Sequence, residues 1–348
     1  MKSFRDVTLQ ERTDDKLAYL ASRVAVGDAE GLFIEAGELE QAVVDALSPA
    51  CDDHGPTERA LRGLSRAAAA TYLATRQGQH GEDGFKAAGD ALDQVARLDL
   101  PRELAVRAPE GYIHYALDPF GYALAARHYA RDVGARRAKH AVVLGIRSIG
   151  TGISALVSTA LGANSGFTLR PRGEPGSRAI RVTDTLLQAL LTRLRDGGDV
   201  LIVDEGPGAT GETFLCVAAW LRRLGVDSAR IVLFPSSLHP PGLATEQVRE
   251  FFERSRHYPA PDETDRVARV CDRFALDEVE DLSAGRWRSV VSGAGNQPCV
   301  PRHERLKFRA RGPGGQRYLV RFAGLGRAGA ETGLRATRLG SVGWGPEV

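Results

Sequence analysis

One stretch limits the folds open to this chain more than any other: Asp199 to Thr213, reading D-V-L-I-V-D-E-G-P-G-A-T-G-E-T. Val200, Leu201, Ile202 and Val203 form a short, unbroken, mostly β-branched apolar run, the pattern of a strand buried on both faces. Asp204 and Glu205 stand where that strand ends. A Gly-Pro-Gly turn follows, then Ala209-Thr210-Gly211-Glu212-Thr213 opens into the apolar-periodic run Phe214 to Leu224. Strand, acidic pair, glycine-rich turn and helix start together describe a phosphate site at the carboxyl end of an α/β sheet. Free N–H groups and hydroxyls from Thr210 to Thr213 would hold the phosphate, and the two carboxylates would face ribose hydroxyls or a hydrated Mg²⁺. The plainer alternative is a strand–helix turn whose acids are solvated and whose Thr210 caps the helix.

The run Val200–Thr213 resembles the phosphoribosyl-pyrophosphate (PRPP) signature of the type I phosphoribosyltransferases. It is neither a Walker A loop, since no Gly-Lys-Ser/Thr follows the glycines, nor G-x-G-x-x-G. It departs from the family in two places. Glu205 lies five residues before Thr210 rather than four, so the loop carries one extra residue or Glu205 and Gly206 take the acids' places. Ala209 stands where the family often has a carboxylate or hydroxyl.

A second buried-strand pattern, Ala141 to Ile146, precedes Arg147-Ser-Ile-Gly-Thr-Gly and a helical run from Ser154 to Leu161. This turn is similar to the family's pyrophosphate loop and comes in the family's order, which puts Arg147, Ser148, Ile149 and Gly150 at the pyrophosphate. Between the two motifs, Phe167 to Arg178 carries Arg170, Arg172 and Arg178 among Pro and Gly with no helical period. Its place matches the family's flexible loop, with Arg170 and Arg172 as the cations for the leaving group and Arg178 behind them; a solvated basic hairpin is the other reading.

The resemblance implies transfer of a 5-phosphoribosyl group from Mg²⁺-PRPP to an acceptor nucleophile, with release of pyrophosphate. Positive charge develops at the sugar C1 while negative charge gathers on pyrophosphate, so Mg²⁺, N–H groups and arginines must stand in place beforehand. It implies that Gly208, Ala209, Thr210, Gly211, Glu212 and Thr213 bind the 5-phosphate. Asp204 and Glu205 would serve the ribose and the metal, and Arg147, Arg170 and Arg172 the pyrophosphate. The partners so implied are PRPP and an acceptor, and no general base stands out. A non-catalytic PRPP- or nucleotide-binding regulator is an alternative, as is one subunit of a multifunctional enzyme.

Composition excludes several classes. A net charge of +2 over 348 residues gives no global case for nucleic acid or anionic membrane. The N-terminus lacks an apolar signal core and no run reaches membrane-spanning length. Cys51, Cys216, Cys271 and Cys299 are scattered without a C-x-x-C, so reduced structural cysteines in a cytoplasmic protein are expected.

The fold expected is α/β: a parallel sheet flanked by helices over residues 106–236, after a mainly helical region over 1–105 that could form an acceptor hood. Helices are read over Lys16–Ala21, Glu38–Leu47, Thr57–Arg76 and Gly84–Leu98, with Gly31–Glu35 as a short strand between the first two. Asp118-Pro119 starts a helix among Tyr112, Tyr115, Phe120 and Tyr122, a cluster read as core before acceptor cover. Thr183-Asp184 caps another, and Ile231–Ser236 is the next strand. Past Ser236 the strand–helix alternation stops, and 237–300 reads as a helical appendage and linker. In 301–348, the runs Arg305–Ala310 and Arg317–Gly326 about a Gly-Pro-Gly-Gly turn read as a hairpin. This tail resembles the first strands of the small lobe of an aminoglycoside-phosphotransferase-like kinase, without residues for a catalytic loop. It leaves open a kinase-like partner domain, or a homodimer of the whole chain.

Overall fold

The computed structural model describes residues 8–79, 81–163, 165–207, 210–237, 244–260, 264–291, 293, 295–299 and 304–348. These fall into two compact units, 1–108 with 119–261 and 109–118 with 262–348.

The first unit opens on β1 (Thr8–Arg12), followed by α1 (Thr13–Ala25), α2 (Ala29–Leu47), α3 (Pro56–Arg76), α4 (Glu82–Ala96) and β2 (Glu103–Arg107). β1 and β2 pair antiparallel, so the first and last pieces of this helical region are tied together. Leu32, Leu39 and Val43 of α2, Leu61, Leu64 and Ala68 of α3, and Leu92 and Val95 of α4 make one apolar core with Leu104 and Val106 of β2. Gly31–Glu35, expected as a strand, is the first half of α2. Nearly every residue of α2 from Ala29 to Val44 is buried, so the helix has no solvated stripe to reveal a 3.6-residue period. The charge of Lys16, also fully buried, is answered by Glu35 and Glu38 at 2.5 Å.

After α5 (Glu110–Ile113), which belongs to the second unit, come α6 (Pro119–Val133), α7 (Ala135–Lys139), β3 (Val142–Ile146), α8 (Ile149–Leu161) and β4 (Ser165–Leu169). The chain continues with α9 (Asp184–Leu194), β5 (Val200–Val203), α10 (Glu212–Arg223), β6 (Ile231–Phe234), α11 (Glu246–Arg254) and β7 (Arg256–His257). Thr183 caps α9 and Thr245 caps α11, each hydroxyl accepting an N–H of the first turn. β4, β3, β5, β6 and β7 lie in that order in one fully parallel sheet. The expected α/β class with a helix-flanked parallel sheet is therefore present.

Two strands of this sheet escaped the sequence reading. β4 is a five-residue edge strand that runs into the start of the stretch taken as loop, and β7 extends the alternation beyond Ser236. Neither shows the continuous β-branched run of a central strand. β3, β5 and β6 are buried at every position. Val142, Leu144, Ile146, Val200, Ile202 and Leu233 pack with α9, α10 and α11, while the alternate residues face α6 and α8.

The second unit holds α5, α12 (Thr264–Phe274), β8 (Asp277–Asp281), β9 (Lys307–Arg311), β10 (Arg317–Arg321) and α13 (Gly326–Ser341). The expected hairpin is β9–β10, turned through Gly312–Gly315, and β8 adds a third antiparallel strand against β9. Leu325, leading into α13, donates its N–H to the Tyr112 carbonyl at 2.9 Å, which ties α5 to this unit. No described helix is long and apolar enough to cross a membrane.

Candidate functional site

The strand order creates one topological switch point. From β3 the chain crosses to β4 on one side; from β5 it crosses to β6 on the other. Connections leaving adjacent strands in opposite directions open a crevice at their carboxyl ends, where ligands of open α/β sheets bind. The turn Arg147–Gly150 leaves β3 there, and Asp204 leaves β5 beside it. Two motifs more than fifty residues apart in sequence thus come together because β3 and β5 pair Val142 with Val200 and Gly145 with Val203.

The contact between them is close. Asp204 Oδ1 accepts the N–H of Glu205 at 2.8 Å, and the Gly150 N–H also favours its negative charge. A Cβ at Gly150 would meet the Val203 carbonyl oxygen at 2.8 Å and Asp204 Oδ1 at 3.1 Å, so only glycine permits this approach. Ile149 and Gly150 already form the first turn of α8, earlier than the helical pattern at Ser154 predicts. The N-terminus of α8 therefore faces a carboxylate of the protein itself. Tyr122 on α6 donates its hydroxyl to the Asp204 carbonyl at 2.9 Å and fixes the chain from behind. Burial raises the Asp204 carboxyl to about 7, against the opposing pull of the Glu205 N–H, the Arg170 charge and the Gly150 N–H.

Gly208 and Ala209 lie outside the described residues. Thr210 is half-buried just before Gly211, whose φ of 71° makes it a left-handed N-cap for α10. That conformation explains the glycine of the Thr-Gly pair. Glu212 and Thr213 begin α10, with their N–H groups in its unsatisfied first turn. Glu212 spends its Oε2 on the Gly176 N–H at 3.0 Å, which docks the basic loop onto this turn. That loop is a narrow hairpin: Arg172 and Ala179 exchange both backbone hydrogen bonds, and Cys216 Sγ lies 3.3 Å from the Arg178 carbonyl.

The arginines occupy unexpected positions. Arg147 is 2% exposed; its Nε donates to Asp45 at 2.9 Å and its Nη2 to Asp52. Its buried Nη1 has no hydrogen-bond partner among the described residues. Arg170 grips Asp45 through Nε at 2.7 Å and through Nη2, and its backbone N–H reaches Asp52 at 2.8 Å. Arg172 lies 2.7 Å from Asp52 and donates to the Ser48 carbonyl at 2.8 Å. All three cations nominated for pyrophosphate thus converge on two aspartates at and beyond the end of α2. Burial opposes the Asp45 charge, yet Arg170 and Arg147 hold it below the ordinary carboxylate range. In this arrangement the Arg147 side chain is fully enclosed, whereas Arg170 and Arg172 keep partly exposed side chains. Asp45 and Asp52 were missed, and Tyr122 was read with its aromatic cluster as core, because nothing local in their segments signals a partner some 80 to 125 residues away.

Asp204 and Glu205 are the expected metal ligands. Among the described residues no group of three His, Cys, Asp or Glu side chains is placed to hold a metal ion. One or two carboxylates suit a Mg²⁺ that arrives on a substrate's phosphates, which supply most of its oxygens. No family model, curated protein or solved structure matches the chain.

Proposed function

We propose that this chain binds Mg²⁺-PRPP in the crevice between β3 and β5 and transfers its 5-phosphoribosyl group to a small acceptor nucleophile, releasing pyrophosphate. The observation carrying this reading is the pairing of β3 with β5 at the switch point, which sets Gly150 beside Asp204 at the end of the strand that leads on to the Thr210–Thr213 turn. In this reading the first turn of α10 holds the 5-phosphate through N–H groups and the Thr210 and Thr213 hydroxyls. Asp204, with Glu205, orients the ribose hydroxyls and the metal that PRPP brings. Arg170, close enough for its charge to act on Asp204, is the cation best placed for the leaving group.

A second reading, a PRPP-binding regulator without turnover, is favoured by one specific feature: Arg147, Arg170 and Arg172 all answer Asp45 and Asp52. Titration calorimetry of PRPP with and without Mg²⁺, on the wild type and on Asp204→Asn/Glu205→Gln, tests the shared site. Mg²⁺-dependent binding lost in the variant supports it, and equal binding by both proteins, or by neither, refutes it. Pyrophosphate release during an acceptor screen then separates enzyme from regulator.

A further inference from the structure

A second cavity, of about 290 Å³, lies over the β4 edge of the sheet, between α3 and the start of β4. Its wall carries Arg59, Arg62, Arg66, Arg193 and His54, with Gly63, Gly166 and Phe167 completing it, and no carboxylate lines it. Arg62 is buried and answered by Glu40 at 3.0 Å. The other guanidinium groups are not neutralised in this way. Arg59 donates to the His54 carbonyl at 2.8 Å and Arg66 to the Ala163 carbonyl at 2.9 Å, and neither they nor Arg193 pairs with a carboxylate among the described residues. Burial and the neighbouring Arg59 charge hold His54 below the ordinary histidine range, so at neutral pH it adds hydrogen-bonding capacity rather than charge.

Like charges gathered around one hollow repel, and their fork-shaped donors match the oxygens of an anion such as phosphate. A neighbouring hollow of about 390 Å³ shares His54, Phe167 and Arg193 and continues along α9 past Gln188 and Thr192. The two together have room for a phosphate group and a small attached body.

We propose that this pocket binds the phosphate end of a small phosphorylated metabolite, at a site separate from the Asp204 crevice. Arg59, Arg66 and Arg193 grip the phosphate oxygens, and the remainder of the ligand lies along His54 and the α9 face. Gly63 gives a direct way to fill the pocket, because a Cβ there meets nothing within 4 Å.

The test is calorimetry of the full chain with ribose 5-phosphate and with inorganic phosphate, in chelator without Mg²⁺. Saturable, salt-sensitive binding is expected, with ribose 5-phosphate tighter than inorganic phosphate. Gly63→Glu, which sets a carboxylate among the arginines while improving helix propensity, should weaken it at least tenfold, as should Arg59→Gln/Arg193→Gln. No saturable binding in the wild type, or unchanged binding in Gly63→Glu, would overturn the proposal. Equal affinity for the two probes would overturn the part assigned to the α9 hollow.

Discussion

Arg147, at the end of β3, and Asp52, beyond the end of α2, form an ion pair in which both side chains are completely enclosed. Asp52 also takes Arg172 and the Arg170 N–H, and its own backbone is bonded to Arg181 and Thr183. The pair joins the helical region to the sheet at the mouth of the crevice. Removing Asp52 leaves the buried Arg147 with Asp45 alone and takes the carboxylate from Arg172, so Asp52→Ala should cost about 3–5 kcal/mol. Urea unfolding checks this; a midpoint equal to the wild type would show that the pair carries no weight.

Asp204, raised to about 7, binds a proton in the folded protein that the unfolded chain releases near pH 4. Below pH 4 both states are protonated and the group is neutral to stability. From about pH 4 to about pH 7 the folded state holds the extra proton, so stability falls as pH rises, and above pH 7 the loss is complete. Asp204→Asn removes that slope and should gain up to about 4 kcal/mol over wild type above pH 7. Unfolding curves of the two proteins that stay parallel from pH 4 to 8 would contradict the assignment.

Gly150→Ala puts a methyl group 2.8 Å from the Val203 carbonyl oxygen, a backbone atom that cannot swing away. The β3–β5 crevice must open to admit it. A stability loss of about 1–3 kcal/mol is expected, together with at least tenfold weaker Mg²⁺-PRPP binding. Unchanged affinity in a folded variant would separate Gly150 from the site.

In the second unit, Glu304 accepts hydrogen bonds from Trp287 Nε1 at 2.8 Å and the Gly285 N–H at 3.0 Å, and lies 3.0 Å from Lys307. Burial opposes its charge, but these donors, with Cys299, push it down to about 2. The resulting stabilisation is fully present above the unfolded value near 4.5 and is lost as pH falls toward about 2. The Trp287 indole N–H resonance should therefore hold its shift down to about pH 3, and in Glu304→Gln it should move at every pH. A Trp287 resonance that titrates near pH 4.5 would disprove the network.

Local chemistry made the α/β core legible. Strands buried on both faces must be apolar throughout, and Val142–Ile146, Val200–Val203 and Ile231–Phe234 are. Thr183 as a cap, Pro119 in a first turn and the Gly312–Gly315 turn likewise act on their own few neighbours. Edge strands β4 and β7 and the fully buried α2 were less legible, because burial on unusual faces erases the period that marks an element.

What the sequence determined by itself is the set of elements that could carry a phosphate loop, and their order. It could not determine which charges remain free to meet a ligand. Arg147 lies next to its predicted site and yet turns to Asp45 and Asp52; Arg59, Arg66 and Arg193, unremarkable along the chain, gather around one cavity. Backbone preference and burial are encoded within a few residues, whereas the partner of a charged side chain is decided by whichever distant segment the fold brings within reach.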